Sequence, residues 1–173
     1  MRSIKTQRLE LEPLQEKHAR QMFEVLSDVV LYQHIDEKPP VSIEWLAQRY
    51  RKLESQKSPD GTEHWLNWVI RTETKEVVGF VQATVYQDHS ANIAFMLGST
   101  FWGRGFANES TVAVLDELVQ SYSVNRYFAT VAVENSKSLS LLRRLGFSEA
   151  NSSVYHHGTI KSGDVLMMRE IKV

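Results

Sequence analysis

Apolar Leu9, Leu11 and Pro13 alternate with Arg8, Glu10 and Glu12, the period of a short strand, and the proline places that strand near a sheet edge. The period then lengthens. Ala19, Met22, Phe23 and Leu26 recur at helical spacing and predict a first amphipathic helix. Residues 32–41, with Pro39-Pro40 and mixed charge, read as a loop. Ser42 then stands as the N-cap of a second helix with the apolar stripe Leu46, Tyr50 and Leu53. Lys57-Ser58-Pro59-Asp60-Gly61 is a turn cluster.

Three strand-like runs follow at residues 65–71, 77–86 and 91–97, separated by a turn at 72–76 and the polar break Gln87-Asp88-His89-Ser90. They predict an antiparallel meander. A helix is expected from about residue 107 to 122, with Val112, Leu115, Val119 and Tyr122 on one face. Residues 127–133, dense in β-branched and aromatic side chains, read as a buried strand. Residues 135–145 form a short helix, with Gly146 where a left-handed cap belongs. Residues 147–155 and 165–171 read as two strands joined by a connection containing Gly158 and Gly163. The order is β-α-α-β-β-β-α-β-α-β-β, with no repeat and no linker. The expectation is one α/β domain over residues 1–173, of the α+β kind.

Composition narrows this picture. A hydrophobic fraction of 42% and a charged fraction of 24% are ordinary globular values. With 20 basic and 21 acidic side chains, bulk charge points to neither a nucleic-acid nor a membrane partner, although a local basic groove stays open. The absence of cysteine removes disulfides, Cys-ligated zinc and any acyl-Cys intermediate. His156-His157 has no further spaced ligands beside it, so no metal site is expected. The start, Met1-Arg2-Ser3-Ile4-Lys5-Thr6, lacks the apolar core of a signal peptide, and no apolar run spans a bilayer. A soluble cytoplasmic protein is the expectation.

The sharpest chemical feature is Gly98-Ser99-Thr100-Phe101-Trp102-Gly103-Arg104-Gly105-Phe106-Ala107, set between a strand and a helix. A helix N-terminus exposes free N–H groups and the positive end of the dipole. Glycines let backbone approach an anion and adopt positive φ. Together they can cradle a pyrophosphate, and Arg104 can add a charged contact. An ordinary glycine-rich turn has the same spacing. The loop lacks the Gly-Lys-Ser/Thr ending of a Walker motif, and it follows a meander rather than an early strand, which removes the Rossmann reading.

At this point the chain resembles the GCN5-related N-acetyltransferases, in particular their ribosomal-protein-alanine acetyltransferase-like branch. Their Gln/Arg-x-x-Gly-x-Gly/Ala pattern appears as Trp102-Gly103-Arg104-Gly105-Phe106-Ala107, with Trp102 departing at the first position. Asn108-Glu109 resembles the branch's helix opening, and Glu134-Asn135-Ser136-Lys137-Ser138 followed by Leu145-Gly146-Phe147 is a second match. Thr6-Gln7-Arg8-Leu9 resembles the usual start, so the likeness spans about residues 6–170.

The resemblance implies a mostly antiparallel central sheet flanked by helices, and acetyl-CoA as cosubstrate with no metal. It implies that backbone at Leu97, Gly98 and Ser99 pairs with pantetheine. The loop at Trp102, Gly103, Arg104, Gly105, Phe106, Ala107 and Asn108 would hold pyrophosphate. Asn135 would contact the pantetheine arm, although Asn is also a favoured N-cap. Many relatives place a Tyr acid where this chain has Leu142. In the resembling branch a Ser at the position of Ser138 takes that role, and a hydroxyl there can also simply cap its neighbours.

The Glu that serves many relatives as base aligns near Asn92, which cannot accept a proton. Glu63, His64, Asp88, His89 and Glu109 are the substitutes, and each has a solvated or structural reading as well. Tyr32, His34, Asp36, Glu37 and Trp45 are candidates for an acceptor pocket; Trp65 and Trp68 more naturally pack a core or wall. The implied function is direct acetyl transfer to a primary amine, whether a protein N-terminus, an amino acid, a polyamine or an aminoglycoside-like drug. The alternatives are a CoA-binding sensor or interaction module without catalysis, and an acyl donor other than acetyl-CoA. A homodimer is compatible with all of them.

Overall fold

The computed structural model describes residues 1–171. Alternation at the start of the chain builds β1 (Ile4–Lys5) and β2 (Leu9–Pro13), and the two helical stripes build α1 (Ala19–Leu26) and α2 (Ile43–Leu53). Ser42 caps α2, its hydroxyl accepting from the N–H of Trp45 at 3.1 Å. The meander is β3 (His64–Thr72), β4 (Val77–Val85) and β5 (Ser90–Leu97). Then come α3 (Phe106–Tyr122), β6 (Arg126–Ala132), α4 (Ser136–Arg144), β7 (Ser148–Glu149) and β8 (Asp164–Glu170). The strands form one sheet in the order β1-β2-β3-β4-β5-β6-β8-β7, antiparallel throughout except between β5 and β6. No helix among the described residues is long and apolar enough to cross a membrane.

Strand alternation sends side chains to two faces. One face is packed by α3 and α4: Ile93 and Leu97 of β5 and Tyr127 and Ala129 of β6 meet Val114, Leu115 and Leu118 of α3 and Leu142 of α4. The other carries α1 and α2, where Met22, Leu46 and Tyr50 pack on Val69, Phe80 and Met96. That second layer is short. Gln82 and Ala94, directly opposite each other on the central strands β4 and β5, remain exposed.

The parallel pairing of β5 and β6 is limited to Ser90, Ala91 and Asn92 against Arg126, Tyr127 and Phe128. Beyond that point β5 stays with β4 up to Leu97, while β6 stays with β8 up to Ala132. The two strands therefore splay and leave a gap in the middle of the sheet. Gly79, opposite Leu97 with φ +154, holds β5 tightly to β4 there; a Cβ on it would lie 2.1 Å from the carbonyl oxygen of Met96. No side chain fits that approach.

Two local expectations are corrected. The predicted strand at 147–155 shrinks to Ser148–Glu149, and residues 150–163 leave the sheet. Asn151 turns the chain there by capping a single 3-10 turn, Ser152–Val154. Tyr155 and His157 then fold back onto the sheet face at Phe128. In α3 the buried residues are Ser110, Thr111, Val114, Leu115, Glu117 and Leu118; of the expected stripe Leu115 is in the core and Tyr122 packs against it, while Val112 and Val119 lie outside it. Val112 and Val119 are 40% and 38% exposed. The N-terminal half of α3 faces a cleft as well as the core, so its apolar residues occupy two sides.

Candidate active site

Gly103 and Gly105 adopt left-handed φ values of +75 and +80, and Gly105 is the residue from which α3 starts. No side chain caps this end. The first-turn N–H groups, including those of Phe106, Ala107 and Asn108, thus have no intrahelical acceptor, and the positive end of the dipole lies beside them. The Arg8 guanidinium adds charge. It donates to the Arg104 carbonyl at 2.9 Å and lies 4.8 Å above the Phe106 ring.

Glu109 fixes this arrangement. Its carboxylate accepts from the Thr6 hydroxyl at 2.6 Å, the Arg8 backbone at 2.8 Å and the Arg8 side chain at 2.7 Å. Burial pushes the Glu109 carboxyl up, but the hydrogen bonds from Thr6 and Arg8 and the Arg8 charge outweigh it and hold the group below the usual range. A carboxylate so occupied is a strut between the N-terminal segment and the glycine loop, not a free base.

From the loop, a cleft of about 1410 Å³ runs along the gap between β5 and the start of α4. Leu97, Trp102, Gly103, Gly105, Phe106, Ala107, Asn108, Asn135 and Ser138 line it. Gly98, Ser99 and Arg104 stand outside the lining. Gly98 donates its N–H to Val78 across the sheet, Ser99 hydrogen-bonds Asp28, and the Arg104 guanidinium sits 5.6 Å from the Phe101 ring. Because the Gly98 N–H points to β4, the alternation of the ladder turns the N–H of Leu97 the other way, toward the gap. The Leu97 carbonyl accepts the Trp102 indole N–H at 2.8 Å, and the Lys137 ammonium lies 4.3 Å above the same indole. These contacts join both walls of the cleft. Asn135 caps α4, its side chain accepting the Ser138 N–H at 3.1 Å. Leu142 is buried in the core.

Met96 lines this cleft and also a smaller cavity of about 100 Å³ on the face of α1 and α2. Tyr32, Glu37 and Trp45 line the second cavity together with Asn67 and Gln82. Of the other acceptor candidates, His34 faces the first cleft and Asp36 pairs with Lys161 at 3.4 Å. That pair links the loop before α2 to the segment 150–163.

At the vertex of the splay, the Asn92 amide donates to the hydroxyls of Tyr86 at 2.7 Å and Tyr155 at 2.5 Å. The remaining base candidates are dispersed. Glu63 accepts from the Trp65 indole, His64 lies edge-on to Tyr122, and His89 occupies a turn with φ +61. Asp88 accepts from Ser90 and contacts His157. Sequence reasoning missed Arg8, Tyr155 and His157 as members of these clusters. Arg8 lies 101 residues from Glu109 and His157 lies 69 from Asp88, so no local spacing marks either pair.

A family profile for the acetyltransferase (GNAT) domain matches residues 8–148. The chain is 26% identical over 151 residues to an uncharacterized N-acetyltransferase, p20, of Bacillus licheniformis, covering 86% of this chain and 84% of that one. Among solved structures it is similar to a RimL ribosomal-protein alpha-N-acetyltransferase in complex with coenzyme A, with TM-score 0.80, 22% identity and 98% of each chain covered. It is also similar to spermidine N-acetyltransferase from Vibrio cholerae in complex with CoA and spermine, with TM-score 0.76, 22% identity, and 95% and 96% of the two chains covered.

Proposed function

The chain belongs to the acetyltransferase (GNAT) family, and from that premise we propose that it moves an acetyl group from acetyl-CoA directly to a primary amine delivered on the exposed strip of β4 and β5. The observation that carries this reading is the convergence of three elements on one cleft. The uncapped start of α3, the splayed end of β5 at Phe95, Met96 and Leu97 and the start of α4 line one cleft, and Ala94 beside it is exposed. The pyrophosphate would rest on the N–H groups of Gly103, Gly105, Phe106, Ala107 and Asn108, with Arg8 as counter-charge. Pantetheine would run between Leu97 and Asn135 toward the second face.

There the neutral amine attacks the thioester carbonyl. The C–N bond forms, the tetrahedral intermediate collapses, and the C–S bond breaks to release the thiolate. The Ser138 hydroxyl donates a hydrogen bond to that leaving sulfur. The names of the neighbours make a protein N-terminus and a polyamine the acceptors to test first. We also propose a cytoplasmic location and a homodimeric assembly.

Asn92 and Leu142, at the places where many relatives carry a base and an acid, favour a second reading, a CoA-binding module without turnover. Thiol release from acetyl-CoA across a panel of amines, with binding measured by calorimetry, separates the two. The chain holds no cysteine, so every thiol detected comes from the cosubstrate. Transfer is expected on at least one amine, with Ser138→Ala lowering kcat roughly 10²-fold and leaving CoA affinity unchanged. Tight binding with no turnover on any amine would establish the module instead.

A further inference from the structure

The amine arrives protonated and must lose a proton before it attacks, and Asn92 at the vertex of the splay cannot take it. We propose that His157, backed by Asp88, is the proton acceptor of this site. The proposal rests on the transferase reading above.

The geometry begins with placement. Asn92 and Ala94 share one face of β5, two residues apart and so about 7 Å along the strand. Tyr155 and His157 are folded onto that same face, where Tyr155 meets both Asn92 and Phe128. His157, at the register of Ser90 on that face, stands beside the splay vertex, one step along the strand from Asn92. It comes from residues 150–163, the connection between β7 and β8.

The ring is fixed by its neighbours and stays partly exposed. It stacks on Tyr86 with centroids 3.6 Å apart and planes at 5°, and Phe128 and Tyr155 pack at 56° and 79° to it. Its Nε2 lies 2.9 Å from the Ser90 hydroxyl and 3.2 Å from the Asp88 carboxylate. Ser90 is fully buried, and its single hydroxyl proton is donated to Asp88 at 2.6 Å. The Ser90 oxygen can then only accept from the ring, so Nε2 carries the hydrogen and the free lone pair lies on Nδ1. The cluster thus selects the tautomer whose basic nitrogen is Nδ1, and the Asp88 charge offsets the charge the ring gains on accepting a proton. Burial pushes Asp88 up, but the bonds from Ser90 and the His157 contact outweigh it and hold Asp88 ionised. The titratable groups facing the ring are Asp88 from the β4–β5 turn, Tyr86 at the end of β4 and Tyr155 from its own segment; β6 contributes Phe128.

The step balances. R–NH3+ gives one proton to Nδ1, directly or through one water, and becomes R–NH2. Its lone pair forms the C–N bond, the C–S bond breaks, and the thiolate takes the second amine proton as CoA–SH. The imidazolium returns its proton to solvent.

The alternative is that His157 only pins residues 150–163. His157→Gln separates the two roles, because its amide keeps a donor where Nε2 lies but offers no basic lone pair. Transfer from acetyl-CoA to spermidine and to an alanine-starting peptide is measured against pH for the wild type, H157Q and H157A, with acetyl-CoA affinity followed by calorimetry. H157Q is expected to lose about 10²-fold or more in kcat/KM near neutrality while binding acetyl-CoA normally. Its deficit shrinks as pH rises toward the pKa of the amine, since a neutral amine needs no base. A wild-type-like H157Q with an impaired H157A, or a deficit constant at every pH, assigns the pin and overturns the proposal. Loss of the folded state in H157Q does the same. Where another amine of the panel above is the better substrate, the same profiles are taken on it, and wild-type protein that turns over no amine of that panel overturns the transferase reading, and this proposal with it.

Discussion

Glu109 shows how a single side chain can be misread from its position. In the first turn of α3 a carboxylate complements the helix dipole, and in a cleft it invites a catalytic role. Its oxygens are instead committed to Thr6 and Arg8, more than 100 residues away. Its folded pKa lies below the ordinary value, so the unfolded chain binds the proton more readily. The linked stability is present above the unfolded pKa of about 4.3 and is lost as pH falls through the depressed folded value. Thermal melts from pH 6 downward should show the midpoint dropping more steeply for the wild type than for Glu109→Gln, and the two curves should converge in acid. The left-handed turns at Gly103 and Gly105 and the Asn135 cap on Ser138 were legible in the sequence because each depends on neighbours within a turn or two. Arg8, Tyr155 and His157 were not, because a contact across the sheet leaves no trace in local spacing.

Elements were legible where one periodicity served one face. The stripes of α1 and α2 and the alternation of β3, β4 and β5 translate directly into the observed spans. The face of α3 was misassigned in part because this helix serves a core and a cleft at once, and Val112 belongs to the latter. The expected strand at 147–155 failed because a capped turn at Asn151 and the docking of Tyr155 and His157 outweighed the pairing of a few residues. In α4, Asn135 is the N-cap and also lines the cleft, where the proposed contact with pantetheine would be made. Asn135→Ala should cost about 1 kcal/mol of stability, a fall of roughly 2–4 °C in Tm, while Asn135→Ser should keep most of it. If Asn135 also holds pantetheine, the serine variant will recover Tm without recovering CoA affinity, which calorimetry on the same samples would show.

Across the whole molecule, the sequence carried the order of elements and the layer type, but not the gap between β5 and β6. That gap is a relation between two strands 36 positions apart in register, Ser90 with Arg126, and only the assembled sheet displays it. The far edge carries a different kind of long-range joint. His18, buried at the entry to α1, accepts the Gln15 N–H on Nδ1 at 2.9 Å and meets Glu12 through Nε2 at 3.1 Å, while Arg71 binds the same carboxylate at 3.0 Å. Burial holds the His18 pKa down, with the contact to Glu12 opposing it only in part. The unfolded chain therefore takes up this proton first. Stability should begin to fall as pH drops through about 6.5, the unfolded value, and continue to fall until the depressed folded value is passed. A His18→Phe variant, melted across the same range, should lack this early step while keeping the later carboxylate one.

Gly79 belongs to β4, which contributes no residue to the cleft, and it lies against the backbone of Met96 and Leu97. Any side chain there would push the end of β5 away from β4 and toward β6, narrowing the gap that the cosubstrate needs. A saturation mutagenesis screen scored on turnover alone will therefore rank position 79 among the catalytic ones. Only a parallel screen for folding will reveal it as the point that keeps the sheet open.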